Sequence, residues 1–168
     1  VLTITGHSVF SLNVLIKFSF HASLFSCQAP KQIVRIIQNT EKIKKSDSEW
    51  KNDLDNLSYQ VLRNSYTERP FTGEYNLHFE KGSYKCKGCE QVLFNSTNKY
   101  ESNCGWPSFD KAIPSSIKYV EDLSLNMRRI EVKCSKCDGH LGHVFNDGPK
   151  ETTGKRYCIN SAALSFNK

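Results

Sequence analysis

The chain has 168 residues, 38% hydrophobic and 24% charged, which is enough for one ordinary domain with an extension and too little for two full domains. Its net charge of +6 gathers at the front: residues 1–40 carry Lys17, Lys31 and Arg35 with no acid, residues 41–48 add +1 and residues 49–168 only +2. No run of Lys and Arg follows Lys45, which argues against a nucleic-acid-binding face.

No Met precedes Val1 and Met127 is the sole methionine, so the sequence reads as starting inside a longer precursor. Residues 1–40 mix apolar stretches (SVFSLNVLI, FSFHASLF) with Ser and basic residues, the composition of a secretory signal or a mitochondrial transit peptide. A disordered extension on a cytoplasmic protein is the alternative. Lys17 interrupts the apolar run, so no span of about 18–20 uncharged apolar residues is present to cross a membrane.

From Glu41 to Asp55 the chain turns strongly charged (EKIKKSDSEWKNDLD), a solvated linker that leads into a helix capped by Ser46 or Ser48. Residues 1–48 are therefore read as targeting segment and linker, and 49–168 as the folded domain. Leu54, Leu57, Val61 and Leu62 recur at three and four, the apolar stripe of a helix packed on a core, so two short helices are expected near residues 49–65. After Arg69-Pro70 short apolar segments (FTGEY, GSYKC, VLFNSTNKY, RIEVKC, GHVFND, RYCIN) alternate with turn residues, which predicts a mainly β domain of small antiparallel sheets.

Seven cysteines cannot all pair within one molecule, and their spacing says more than their number. Cys86-Lys-Gly-Cys89 and Cys134-Ser-Lys-Cys137 are two C-x2-C pairs with 44 residues between them. Two residues between cysteines let one turn aim both sulfurs at a single ion, and two such knuckles close a tetrahedral zinc site. Gly88 and Asp138-Gly139 offer the turn-tolerant residues. Two disulfides, or a thioredoxin-type redox pair, are the competing readings; the latter expects one pair in a βαβ setting. A closed four-thiolate site has no open position, so it would stabilise the fold and leave the chemistry to other residues.

Cys27 lies in the presumed targeting segment, which leaves Cys104 and Cys158 for chemistry. In Arg156-Tyr157-Cys158-Ile159-Asn160, a strand's period of two puts Arg156, Cys158 and Asn160 on one face. The guanidinium would favour the thiolate, the nucleophilic form; the plain alternative is a small buried core cysteine. His140 and His143 follow the second knuckle and, being surplus to a full tetrahedron, are free either for proton transfer or for structural hydrogen bonds. In Cys104-Gly105-Trp106-Pro107-Ser108-Phe109 the indole of Trp106 either lines a pocket suited to a thioether or sulfoxide methyl or is a core Trp.

Together TERPFTGEY, CKGC, NCGWPSF, CSKC, DGHLGHVFNDGP and RYCINSAAL resemble, in order and over roughly residues 49–168, the B-type methionine sulfoxide reductases, which act on the R epimer. The resemblance implies two small antiparallel sheets preceded by short helices, and one structural zinc at Cys86, Cys89, Cys134 and Cys137. It implies Cys158 as nucleophile, with His140, His143 and Asn160 touching substrate or an active-site water. Trp106 would bound the methyl pocket, and Arg156 and Asp147 would organise the site. Cys104 matches one of the family's places for a resolving cysteine, which implies a Cys104–Cys158 disulfide recycled by thioredoxin. The expected substrate is oxidised methionine in proteins or peptides and the expected state a monomer. A non-enzymatic zinc-ribbon binding module, or a zinc hydrolase with a histidine ligand, would be the rivals.

Overall fold

The computed structural model describes residues 41–168. The expected targeting segment over residues 1–40, with Cys27, lies outside the described residues. Ser46 opens the first helix, α1 (Asp47–Asp53), through a capping box in which the Ser46 N–H donates to Glu49 Oε2 at 2.7 Å. Ser46, not Ser48, is thus the cap. The second helix, α2 (Asn56–Asn64), is capped by Asp55, whose carboxylate accepts from the Ser58 N–H at 2.9 Å. Upstream of α1 the chain already joins this body: Ile43 packs on the core and its N–H donates to the Lys136 carbonyl at 2.9 Å.

The apolar stripe differs from its expected composition. Leu54 ends α1 and Asp55 starts a new helix, so Leu54 and Leu57 do not share one helical face. The buried residues of α2 are Ser58, Tyr59, Val61 and Leu62, of which Ser58, Val61 and Leu62 form an i, i+3, i+4 row, and Leu57 is left exposed.

Nine strands follow. A three-stranded antiparallel sheet runs in the order β2 (Val92–Asn95), β1 (Ser83–Cys86), β9 (Leu164–Asn167). A six-stranded antiparallel sheet runs β3 (Lys99–Tyr100), β4 (Ser108–Phe109), β8 (Arg156–Ile159), β7 (His140–Phe145), β6 (Arg129–Cys134), β5 (Ile117–Asp122). The mainly β, two-sheet architecture with short leading helices is the one expected. FTGEY, by contrast, is no strand: Phe71 has a φ of 63°, and its N–H donates to the Gly105 carbonyl at 2.7 Å, so this segment is tied to a loop.

Aromatic rings join the sheets. Tyr84 of β1 and Phe94 of β2 meet Phe109 of β4, Phe94 and Phe109 stacking at a centroid distance of 4.3 Å. All three are fully buried, and each such pair contributes about 0.5–1.5 kcal/mol beyond its buried area. Among the described residues no helix is long and apolar enough to cross a membrane.

Candidate active site and metal centre

The two C-x2-C turns face each other. Cys86 leaves β1 and Cys134 ends β6, and in each turn a backbone N–H comes back to the first cysteine's carbonyl: Glu90 to Cys86 at 2.8 Å and Asp138 to Cys134 at 3.0 Å. The left-handed positions that close these turns are Glu90 and Asp138, at φ 58° and 60°, and not Gly88. Gly88 instead lies under the Trp50 ring of α1, where an added Cβ would meet the indole at 3.4 Å. Arg63 of α2 donates to the Cys137 carbonyl at 2.9 Å, so both helices brace the knuckles.

All four sulfurs lie within 4.8 Å of one another, with Cys86–Cys137 at 3.6 Å and Cys89–Cys134 at 3.5 Å. Four thiolates around one tetrahedral ion at about 2.3 Å stand about 3.8 Å apart, so the donor set fits a single metal ion with no histidine needed. The six cysteines of the described residues are free thiols.

Cys158 sits mid-sheet. β8 pairs with β7 on one side, opposing Cys158 to His143, and with β4 on the other, opposing it to Ser108. Tyr157 and Ile159 point into the core and Arg156 and Cys158 to the other face, as the period of two requires. Gly142 permits the close approach of β7, because a Cβ there would collide with the Cys158 carbonyl. The result is a cavity of about 110 Å³ lined by Trp106, Arg129, His143, Phe145, Cys158 and Asn160. That is room for the end of one side chain, well below the roughly 300–1,000 Å³ of drug-sized ligand pockets.

Cys104 stands beside this cavity with its Sγ 3.6 Å from Cys158 Sγ, and the Ser102 and Ser108 hydroxyls lie 3.0 and 3.3 Å from the Cys104 sulfur. The pair gives up its first proton readily and its second with difficulty. The hydrogen bond from Cys158, then those from Ser102 and Ser108, hold Cys104 down to about 4 against the cost of burial. The Cys158 thiol is pushed up by its hydrogen bond to Cys104, by burial and by the Cys104 charge, with Arg156 pulling the other way. Sequence reasoning expected the Arg156 charge to favour a Cys158 thiolate. In the structure Asp147 engages that guanidinium twice, at 2.9 and 2.8 Å, and the Cys104 hydrogen bond and burial outweigh the pull of Arg156 on Cys158. A proton passed across the 3.6 Å contact transfers the charge to Cys158.

The other expected residues divide. His143 lines the cavity, and its Nε2 faces Asp122 Oδ2 at 2.8 Å. Asp122 in turn accepts from Arg129 at 2.7 Å and from the Ser124 N–H at 2.9 Å, and these bonds, Ser124's foremost, hold its carboxyl below the usual carboxylate range. His140 is 2% exposed and stands outside the lining. Its Nδ1 faces Glu131 Oε1 at 2.7 Å, its Nε2 has no partner among the described residues, and burial lowers its pKa against the pull of Glu131, which keeps it neutral. Asn160 lines the cavity, yet its amide is committed, donating to the Leu141 carbonyl at 3.0 Å and accepting from the Glu68 N–H at 3.0 Å. Arg156 and Asp147 do not line it; the Arg156 guanidinium covers the Phe145 ring at 4.6 Å, and Phe145 does.

Asp122, Arg129, Glu131 and Glu68 were not singled out from the sequence. Arg129 and Glu131 alternate along RIEVKC, a signal for a shared strand face, and Asp122 opposes Arg129 across the β5–β6 pair. Glu68 lies within TERPFTGEY, one of the segments that carry the resemblance, but no spacing or charge pattern picks it out inside that segment.

A SelR domain model matches residues 54–168. The chain is 51% identical over 129 residues to the peptide methionine sulfoxide reductase MsrB of Chromohalobacter salexigens, covering 76% of this chain and 97% of that protein. It is 50% identical over 137 residues to a probable methionine-R-sulfoxide reductase B of Caenorhabditis elegans, covering 80% and 89%. Against the Methanosarcina mazei MsrB the identity is 54% over 128 residues, covering 76% and 91%. With the match spanning more than half the chain and half its aligned residues shared, the protein belongs to the SelR-domain family, the methionine-R-sulfoxide reductases of the B type.

Proposed function

We propose that this protein reduces the R epimer of methionine sulfoxide, in proteins and peptides, with Cys158 as nucleophile and Cys104 as resolving thiol. One observation carries the reading: a thiol at the wall of a side-chain-sized cavity, against Trp106 and His143, with a second thiol 3.6 Å away. The sulfoxide methyl packs on the Trp106 indole, which its Nε1–H bond to the Glu68 carbonyl at 3.1 Å holds in place. The Cys158 thiolate attacks the sulfoxide sulfur as a proton reaches the oxygen; His143 is the better donor, since it lines the cavity and His140 does not. Oxygen passes to Cys158 as sulfenic acid and methionine leaves. Cys104 then displaces the hydroxyl as water, its sulfur closing by about 1.6 Å to the ~2.0 Å of an S–S bond. Thioredoxin returns both thiols by exchange, becoming oxidised itself.

We assign zinc to Cys86, Cys89, Cys134 and Cys137. It would supply fold stability and leave no coordination site for water, which separates this reading from a zinc hydrolase. A targeting role for residues 1–48 and a monomeric state complete the proposal; fusing residues 1–48 to a fluorescent protein and light scattering on the full chain test them. The deciding assay offers R and S epimers of a methionine sulfoxide peptide to the full chain with thioredoxin. Turnover of the R epimer alone, abolished by Cys158→Ser, is expected. No turnover of either epimer by folded, metal-loaded protein would leave the non-enzymatic zinc-binding module as the better account.

A further inference from the structure

Trp106 walls a second cavity. This space of about 190 Å³ is bounded by Phe71, Leu77, Tyr100, Glu101, Ser102 and Asn103 among others besides the indole, and of these Ser102 also bonds Cys104. Two of its walls are large apolar side chains left in water, Phe71 at 67% exposure and Leu77 at 66%.

The cavity is also preformed. Phe71 takes a φ of 63°, rare for so bulky a residue, and is held there by its N–H bond to the Gly105 carbonyl at 2.7 Å. Gly105, at φ 94°, has no room for a side chain, since a Cβ would lie 2.6 Å from Pro70 Cβ. Residues 70–71 and the Cys104–Trp106 loop are thus clasped together, presenting the Phe71 ring beside the cavity that the indole shares with the sulfoxide pocket.

We propose that this second cavity is the subsite for the side chain two residues away from the oxidised methionine in a polypeptide substrate, and that it selects an apolar or aromatic one. The proposal rests on the reading that the sulfoxide enters the pocket at Cys158. A polypeptide whose oxidised methionine enters the first cavity reaches the second by crossing the indole that walls both. On an extended chain, side chains two apart point the same way and stand about 7 Å apart, so one strand fills both cavities across a single ring. The apolar walls favour an apolar occupant, and Glu101 disfavours an acidic one.

The test compares kcat/KM of the full chain for N-acetyl-methionine-R-sulfoxide and for short peptides with Phe, Ala or Glu two residues to either side of the R-sulfoxide. The Phe peptide is expected to exceed the Ala peptide by about five- to tenfold on at least one side, with Glu lowest. Leu77→Ser and Phe71→Ala should each cut that preference to below about twofold and leave the N-acetyl compound unchanged, which also shows the variants are folded. Equal values for Phe and Ala peptides in the unmodified protein, or a preference that survives both substitutions, would overturn the subsite. So would variants that alter only the KM for thioredoxin, which would give the cavity to the reductant. Failure of the N-acetyl compound itself to turn over would overturn the sulfoxide-pocket reading and this subsite with it.

Discussion

Glu68→Gln should destabilise the protein by about 2–4 kcal/mol and loosen the active site at once. The Glu68 side chain is buried, and its two carboxylate oxygens accept from the Ser161 and Ala162 N–H groups at 2.6 and 2.9 Å, capping the 3-10 turn Ser161–Ala163 that follows Asn160. Its own backbone holds two site residues, donating to Asn160 and accepting from Trp106. A glutamine keeps one acceptor and turns an NH2 toward the other N–H. The loss is one charge-assisted bond, roughly 1.5–3 kcal/mol, plus a buried N–H left unpaired, roughly 1–3 kcal/mol. The amide is cheaper to bury than the carboxylate, which brings the net toward the lower end. At about 3–5 °C per kcal/mol for a domain of this size, Tm should fall by about 10 °C. Urea denaturation of the metal-loaded protein measures the loss, and KM for an R-sulfoxide peptide should rise in parallel. Glu68→Asp, too short to reach both N–H groups, should behave similarly. A loss below about 0.5 kcal/mol with an unchanged m-value would refute the reasoning.

Alkylation supplies a second check. A thiol of pKa ~8.5 loses about 100-fold of its thiolate between pH 7 and pH 5, whereas a pair that keeps its first charge down to about 4 should react with iodoacetamide at nearly equal rates across that range. A hundredfold fall would show that Cys104 and Cys158 do not share a proton. In Cys104→Ser the two largest partner effects that push Cys158 up are gone, so its pKa should fall, and one methionine should form per enzyme with no further turnover on thioredoxin. Asp122→Asn should lower kcat by about tenfold with little change in KM, since the carboxylate orients His143 and lies outside the cavity lining; an unchanged kcat would remove that role. Stripping the metal, followed by circular dichroism, should unfold the domain, because structural zinc contributes about 10–16 kcal/mol in small peptides against a total domain stability of about 5–15. Retained near-UV signal would rule that out.

What the sequence shows in advance depends on how far apart the interacting residues stand. The knuckles are legible because two cysteines three apart in a turn aim both sulfurs at one point, and the fold gathers the two pairs into one cluster of four. The Arg156–Cys158 face is legible because a strand alternates. Glu68 is silent because its partners lie 92 to 94 residues away, and nothing in an acidic residue's type carries that distance. FTGEY reads as a strand by composition, but the bond between Phe71 and Gly105 belongs to a loop contact that composition does not encode. Leu57 matched the helical spacing until the Asp55 cap reset the phase of the helix.

The same distinction explains why Cys158 is easier to single out than the surroundings that set its pKa. Local pattern puts a guanidinium two residues from Cys158 and suggests a thiolate there. Whether that charge acts on the sulfur depends on who else binds it, and Asp147, nine residues away, takes both ends of the fork. Cys104, 54 residues away, brings in hydroxyls from Ser102 and Ser108 that Cys158 lacks. In the proposed cycle Cys158 would be poised through its partner: the hydrogen bonds gathered at Cys104 favour loss of the pair's first proton there, and attack would need the remaining one to cross from Cys158 to Cys104. That arrangement has a chemical advantage. Under the roles proposed above, the thiol that takes up this proton is also the one that displaces the sulfenic hydroxyl, so both steps would draw on a single short sulfur–sulfur contact, and any substitution that lengthens it should slow nucleophilic attack and disulfide closure together.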